Sequence, residues 1–248
     1  GDDHVSLVRG DRRLGTHEAL GKRFDVQRAG GEVADLERAA RQSLIDTCIA
    51  MNASGLSLGK SGNASLRWGD GLLISPTGTA YAQLRPEHIV YLDADGNCPA
   101  GQLLPSSEWR IHCDILRAFP ACEAVVHVHS THATALACLG QEIPPFHYMI
   151  ALAGGDIRCM PYATFGTTEL ADTAVLGLAG RRAALLGNHG VIAIGGTLRQ
   201  AQAVAVEVEN LAGEYLAMLS AGLEPRLLDA AELERVMTRF ADYGRITR

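Results

Sequence analysis

His127 and His129 stand two residues apart in Val-Val-His-Val-His, a β-branched run, and His189 sits in Leu-Leu-Gly-Asn-His-Gly. Side chains alternate along a strand, so positions i and i+2 share a face and both imidazoles can point at one ion. A third imidazole from a distant loop completes a three-nitrogen shell with one position open, the arrangement of a catalytic zinc rather than a structural one. The competing reading of the pair is two buried histidines filling polar gaps in a sheet. Asn-His-Gly, at a turn between apolar strands, favours the metal, because a loop there can lean over the sheet edge. The chemistry expected is metal-assisted. His4, His17, His88, His112, His132 and His147 show no comparable pairing, and His132 and His147 are expected to be non-ligands.

Glu108 follows Ser106 and Ser107 and precedes Trp109. It reads either as a first-turn glutamate favoured by the helix dipole or as a carboxylate beside the metal, a fourth ligand or proton carrier. The two serines at a helix start, with its free amides, would make an anion site. Two further segments suit phosphate: Gly59-Lys60-Ser61-Gly62-Asn63-Ala64-Ser65, a small-residue turn entering a strand, and the hydroxyl-rich Ser75-Pro76-Thr77-Gly78. Either reads equally as a plain loop. Neither is a P-loop, since the Gly-Lys-Ser element lacks its upstream glycine spacing.

The elements that must position these residues follow from periodicity. Leu36, Ala40, Leu44, Ile45, Cys48 and Ile49 mark one face of a helix ending near Gly55. Residues 63–68 and 72–75, flanking Gly-Asp-Gly, predict a β-hairpin, and 88–92 a short strand. Pro105-Ser106-Ser107 opens a helix to about Phe119 with either serine able to cap it. A strand over 124–129 and a helix to about Cys138 follow, then a loop-rich stretch from Pro144 to Gly166. A helix over 168–178, paired strands over 183–187 and 191–194, and helices over 198–221 and 229–243 complete the chain. Several strands are joined by tight turns, so the expectation is a single α/β domain with a central mixed, largely antiparallel sheet covered by helices. Residues 1–34, charged and poor in apolar periodicity, read as an extension outside a domain over 35–248.

The chain has 248 residues, 47% hydrophobic and 20% charged, enough for a substantial core. A formal charge of −6 argues against a general nucleic-acid binder. It leaves an anionic substrate open, since backbone amides hold phosphate without net positive charge. The six cysteines form no Cys-x-x-Cys pair and read as scattered, reduced core thiols. No apolar run reaches membrane-spanning length and no secretory signal is evident, so the expected location is cytoplasmic.

Taken in order, Ser-Gly-Asn-Ala-Ser, Ser-Pro-Thr-Gly, Pro-Ser-Ser-Glu-Trp-Arg, Val-Val-His-Val-His, His-Tyr-Met-Ile-Ala, Pro-Tyr-Ala-Thr-Phe-Gly-Thr and Asn-His-Gly resemble the class II sugar-phosphate aldolases. The resemblance covers residues 36–246 and is strongest to the branch acting on L-fuculose 1-phosphate. It implies that His127, His129 and His189 bind one Zn2+ per subunit, with Glu108 as acid/base and as a ligand when substrate is absent. Phosphate would lie against Gly62, Asn63, Thr77, Gly78, Ser106 and Ser107. Tyr148 matches a tyrosine that protonates the aldehyde oxygen from a neighbouring subunit. Phe165, Phe240 and Tyr243 match residues on the aldehyde side, the last two in the C-terminal tail. It further implies a homotetramer with interfacial active sites. Lys60 departs from the pattern, standing where a threonine is expected, and would either add charge to the anion site or face solvent.

The implied reaction is reversible cleavage of a ketose 1-phosphate to dihydroxyacetone phosphate and an aldehyde. The alternatives on the same scaffold are a sugar-phosphate 4-epimerase, a decarboxylase or a dehydratase. A non-catalytic adducin-like interaction domain, which has no reason to keep three ligands together with Glu108, and a zinc hydrolase are the rivals from other classes.

Overall fold

The computed structural model describes residues 30–242. Most of the proposed N-terminal extension, and Tyr243, lie outside them. Seven strands form one sheet in the order β3-β2-β1-β4-β7-β6-β5: β1 (Asn63–Trp68), β2 (Gly71–Ile74), β3 (Val90–Leu92), β4 (Ala124–Val128), β5 (Cys159–Met160), β6 (Ala183–Leu186) and β7 (Gly190–Gly195). All neighbours are antiparallel except β5 and β6, the mixed, largely antiparallel sheet that the turn pattern predicts.

Helices cover both faces. On one, α1 (Gly30–Ala53), α3 (Thr131–Leu139) and α5 (Leu198–Ser220) enclose Leu44, Met51, Ala64, Leu66, Val126, Val128, Val191 and Ala193. On the other, α2 (Trp109–Ala118) and α4 (Thr168–Gly177) enclose Leu72, Ile74, Ile111, Ile115, Val125, Leu170 and Ile192. Alternation along β1 and β4 sends Ala64, Val126 and Val128 to the first core and leaves Asn63, Ser65 and His127 on the second face, at its edge. The last helix, α6 (Ala230–Asp242), packs on a 3₁₀ segment, Tyr148–Ala153.

The differences from the sequence expectation have local causes. α1 begins at Gly30 rather than near Leu36, because an exposed first turn needs no apolar stripe. The strand expected over 88–92 is only Val90–Leu92, since Pro86 starts a 3₁₀ turn through His88. The stretch expected to be loop-rich holds the 3₁₀ segment and the two-residue strand β5, both too short for a periodic signal. All six cysteines are free, but Cys98 and Cys138 are exposed rather than in the core. Among the described residues no helix is long and apolar enough to cross a membrane.

The start of α3 controls where the chain goes after His129. Ser130 occupies the N-cap but its hydroxyl does not cap. Instead Glu209 of α5 accepts from the backbone N–H of His132 (2.9 Å) and of Ala133 (3.0 Å), and from His132 Nδ1 at 2.8 Å. A carboxylate on free amides at a helix start combines a charge-assisted bond with the helix dipole. Glu209→Ala should therefore lower the unfolding free energy by about 1–2 kcal/mol, measured by urea denaturation. An unchanged midpoint would mean that water caps α3 equally well.

Candidate metal centre and anion cavity

His127 lies within β4, and His129, one residue beyond its end, falls on the same face by alternation. Their Nε2 atoms are 2.9 Å apart. His189 belongs to the three-residue connection between β6 and β7, where Asn188 takes φ 53°, a left-handed conformation that asparagine tolerates better than most residues. Asn188 N–H donates to Ala137 O at the end of α3 (3.2 Å), and His189 N–H to Leu186 O (3.0 Å). These bonds tie the loop down over the end of β4. The ring centroids of the three histidines are 4.8, 4.8 and 5.0 Å apart.

Glu108 reaches the same point from the start of α2. The helix begins at Trp109, with Glu108 itself at the N-cap, so neither serine caps it as the sequence suggested. The cause is a competing pairing: Ser106 N–H donates to Ser75 O, Thr77 N–H donates to Leu104 O, and Pro76 bridges to Pro105. That ladder keeps residues 104–106 extended and lays the Ser75–Gly78 turn beside the two serines. Glu108 Oε2 lies 3.2 Å from His127 Nε2, and Oε1 lies 2.9 Å from His189 Nε2. The four ligand atoms all fall within 4.8 Å of one another.

This donor set fits a divalent cation. His127 Nδ1 is 2.8 Å from Val191 O, which accepts its proton and leaves Nε2 with a lone pair facing the cluster. A tetrahedral zinc spaces nitrogen ligands roughly 3.3 Å apart, near the 2.9 Å between the Nε2 atoms of His127 and His129. Buried Glu108 Oε1 has only His189 Nε2 beside it, at 2.9 Å, an expensive state for a carboxylate oxygen unless a proton or a cation lies between them. Burial and its two histidine neighbours push His129 down to about 4, so its ring stays neutral and available as a ligand at neutral pH. Burial pushes His127 down as well, but the Glu108 carboxylate more than offsets this and raises it above the ordinary histidine value. For Glu108, burial raises the pKa, and His127 and His189 outweigh it, holding the carboxyl below its usual range.

Glu108, His129 and His189 of the cluster line a cavity of about 360 Å³, with His127 fully buried beside them. Gly62, Asn63, Thr77, Gly78, Ser106, Ser107 and Phe165 line it, together with Lys60, Ser61, Tyr162 and Asn188. Lys60 Nζ donates to Gly78 O (2.7 Å), so its charge spans the two turns that sequence singled out for an anion. Both ends of the Asn63 amide have partners: Nδ2 donates to Glu108 Oε2 (2.8 Å) and Oδ1 lies 2.5 Å from His112 Nε2. The side chain expected against phosphate is therefore engaged with the carboxylate. Tyr148 does not line this cavity. It is half exposed and stacks on Phe240, with centroids 6.2 Å apart. His132 and His147 stay out of the cluster.

Sequence reasoning passed over His112, although it stands four residues after Glu108 and so on the same helix face. It also passed over Tyr162 and Asn188. Two glycines are required by close approach: a Cβ on Gly190 would sit 2.5 Å from Val128 O and 2.7 Å from His129 Cδ2, and one on Gly62 would sit 3.0 Å from His127 O.

Residues 42–216 match the family described as the Class II Aldolase and Adducin N-terminal domain. The chain is 51% identical over 207 residues to a 5-methylthioribulose-1-phosphate/5-deoxyribulose-1-phosphate aldolase of Rhodospirillum rubrum, covering 83% of this chain and 93% of that protein. It is 47% identical over 206 residues to an L-fuculose phosphate aldolase of Escherichia coli K12, covering 83% and 95%. A solved L-fuculose 1-phosphate aldolase superposes with a TM-score of 0.79 at 38% identity, covering 82% of this chain and 96% of that one. The chain belongs to the class II aldolase and adducin family and is an enzyme of its aldolase class.

The metal site can be tested without substrate. Dialysed protein should retain one divalent ion per chain by elemental analysis, and His129→Ala should weaken retention by more than about 100-fold. Because the raised His127 pKa means that the metal must displace a proton, apparent affinity should rise with pH by up to about tenfold per unit below that pKa and level off above it. Equal retention by His129→Ala, or affinity indifferent to pH, would contradict the assignment.

Proposed function

We propose that this chain is a zinc-dependent aldolase that reversibly cleaves a ketose 1-phosphate to dihydroxyacetone phosphate and an aldehyde. The observation that carries the reading is one cavity lined by Glu108, His129 and His189 of the four-residue cluster and by two glycine- and hydroxyl-rich turns bridged by Lys60.

The substrate phosphate is bound against Gly62, Asn63, Thr77, Gly78, Ser106 and Ser107, with the Lys60 ammonium adding charge. Grip on this remote group fixes the reacting carbons and turns binding energy into orientation. Zinc held by His127, His129 and His189 would act as a Lewis acid, stabilising the charge left on carbon when the carbon–carbon bond breaks. Glu108, held ionised by its histidine neighbours and lining the cavity, is the base that takes the proton from the three-carbon fragment in the condensation direction. It returns that proton in cleavage.

Tyr148 is proposed to exchange the proton at the aldehyde oxygen of a neighbouring subunit's site. Its exposure and its stacking on Phe240, away from this chain's own cavity, suit that role. It implies the homotetramer with interfacial sites. Phe240, Tyr243 and Phe165 are proposed to line the aldehyde side. Tyr162 and Phe165, both well exposed at the cavity, suit an aldehyde with an apolar end, as the deoxy and methylthio sugars in the relatives' names would release.

A panel of L-fuculose, 5-deoxyribulose, rhamnulose and ribulose 1-phosphates, assayed for triose phosphate release, tests the reading. Release from at least one, abolished by a chelator and restored by Zn2+, is expected. No release from any, with epimerised or decarboxylated product instead, would replace aldolase by a sister chemistry.

Glu108→Gln should keep most bound metal yet lower kcat by about 10²–10⁴-fold. Near-normal turnover in that variant would remove the proposed base. Lys60→Gln should raise KM by about 3–30-fold with little change in kcat. An unchanged KM would place the ammonium in solvent.

A further inference from the structure

Behind Glu108 runs a hydrogen-bonded chain that the proposed reaction does not itself require. Ser65 Oγ lies 2.7 Å from His112 Nδ1, His112 Nε2 lies 2.5 Å from Asn63 Oδ1, and Asn63 Nδ2 donates to Glu108 Oε2 at 2.8 Å. Ser65 and His112 are fully buried, and Asn63 and Glu108 nearly so, so water does not complete any of these bonds. Three backbone periodicities build it. Asn63 and Ser65 are i, i+2 on β1, Glu108 and His112 are i, i+4 at the start of α2, and Asn63 pairs directly with His127 across the β1–β4 ladder.

The direction of every bond follows from the last. An ionised carboxylate only accepts, so Asn63 must present its NH2 to Glu108 and its carbonyl oxygen to His112. The oxygen needs a donor, so the His112 proton sits on Nε2. Nδ1 of the neutral ring then accepts, and the Ser65 hydroxyl donates to it. Burial, with the His127 charge adding to it, pushes His112 down to about 3, consistent with a ring that stays neutral.

We propose that His112 is a positioning residue for Glu108: with Ser65 it locks the Asn63 amide in one orientation, pins Oε2 of the carboxylate, and so fixes how the carboxylate is presented to metal and substrate. This rests on the assignment of Glu108 as proton carrier. If the amide turned over, its oxygen would face the carboxylate at hydrogen-bond distance, and repulsion would swing Glu108 out of register with the three imidazoles. His112 touches neither substrate nor ion. Its effect passes through Asn63.

The tautomer is read directly by long-range 1H–15N spectra of the full wild-type chain. A protonated Nε2 and a lone-pair Nδ1 on His112 are expected, and the opposite tautomer would reverse the chain and overturn the proposal. His112→Leu should lower kcat by about 10–100-fold and loosen Co2+ against a competing chelator by about 10-fold. KM for the sugar phosphate and inhibition by inorganic phosphate should stay within about twofold. His112→Gln, whose amide can place a donor near the lost Nε2–H, should recover to within several-fold of wild type. Wild-type kcat and Co2+ retention in the leucine variant, or equal losses in both variants, would reduce His112 to packing. Should the leucine variant fail to fold, the tautomer and the glutamine variant decide, and a 100-fold loss in the latter would refute the role. Tautomer and Co2+ retention do not depend on turnover, so they report on this chain even if no sugar phosphate is cleaved.

Discussion

Three imidazole nitrogens and a carboxylate crowded within 4.8 Å need a positive charge among them. Lone pairs facing each other across 2.9 Å repel, and a buried carboxylate whose neighbours are imidazole nitrogens is costly without a positive charge among them. In the metal-free protein a proton on His127, shared toward Glu108, meets part of that demand. A divalent cation meets all of it, engaging every lone pair at once. The fold holds the cluster in this unfavourable arrangement, and the gain on binding a cation is correspondingly large. The tight loop at Asn188, the bare Cα of Gly190 and the tethered start of α2 are what keep the four groups from relaxing apart.

The same architecture explains why the anion cavity lies where it does. Extended pairing of residues 104–106 with the Ser75 turn delays the helix until Trp109, and that delay places the Ser106 and Ser107 turn, rather than a helical side, against Thr77 and Gly78. Glu108 then emerges where the two turns meet the end of β4. The wall proposed to hold phosphate and the histidine–glutamate cluster are thus joined by one short ladder, so that under the proposed function a bound phosphate would position its sugar relative to Glu108.

Much of this was legible in the sequence, and the rest was not for physical reasons. His127 and His129 share a face because a strand has period two, and that could be read from two residues. His189 could be read as loop-borne from its glycine neighbours, but its direction depends on the left-handed backbone at Asn188, which carries no periodic signature. The sheet's antiparallel character followed from its tight turns, whereas β5 and the 3₁₀ segment Tyr148–Ala153 are shorter than any pattern. Glu108 was ambiguous because nothing in its own neighbourhood distinguishes a first-turn carboxylate from a ligand. Resemblance to a family, rather than spacing, singled it out. The contact of Asn63 with Glu108 could not be read, since the cross-strand register that points its amide at the carboxylate is set by β4, some sixty residues away. His112 was passed over because its partners come from a different element.

Anomalous diffraction from crystals grown with zinc tests the cation requirement most directly. A single peak within bonding distance of the Nε2 atoms of His127, His129 and His189, opening onto the cavity walled by Thr77, Gly78, Ser106 and Ser107, is the predicted result. Density for three rings bonded only to one another or to water, with zinc held elsewhere or not at all, would contradict it.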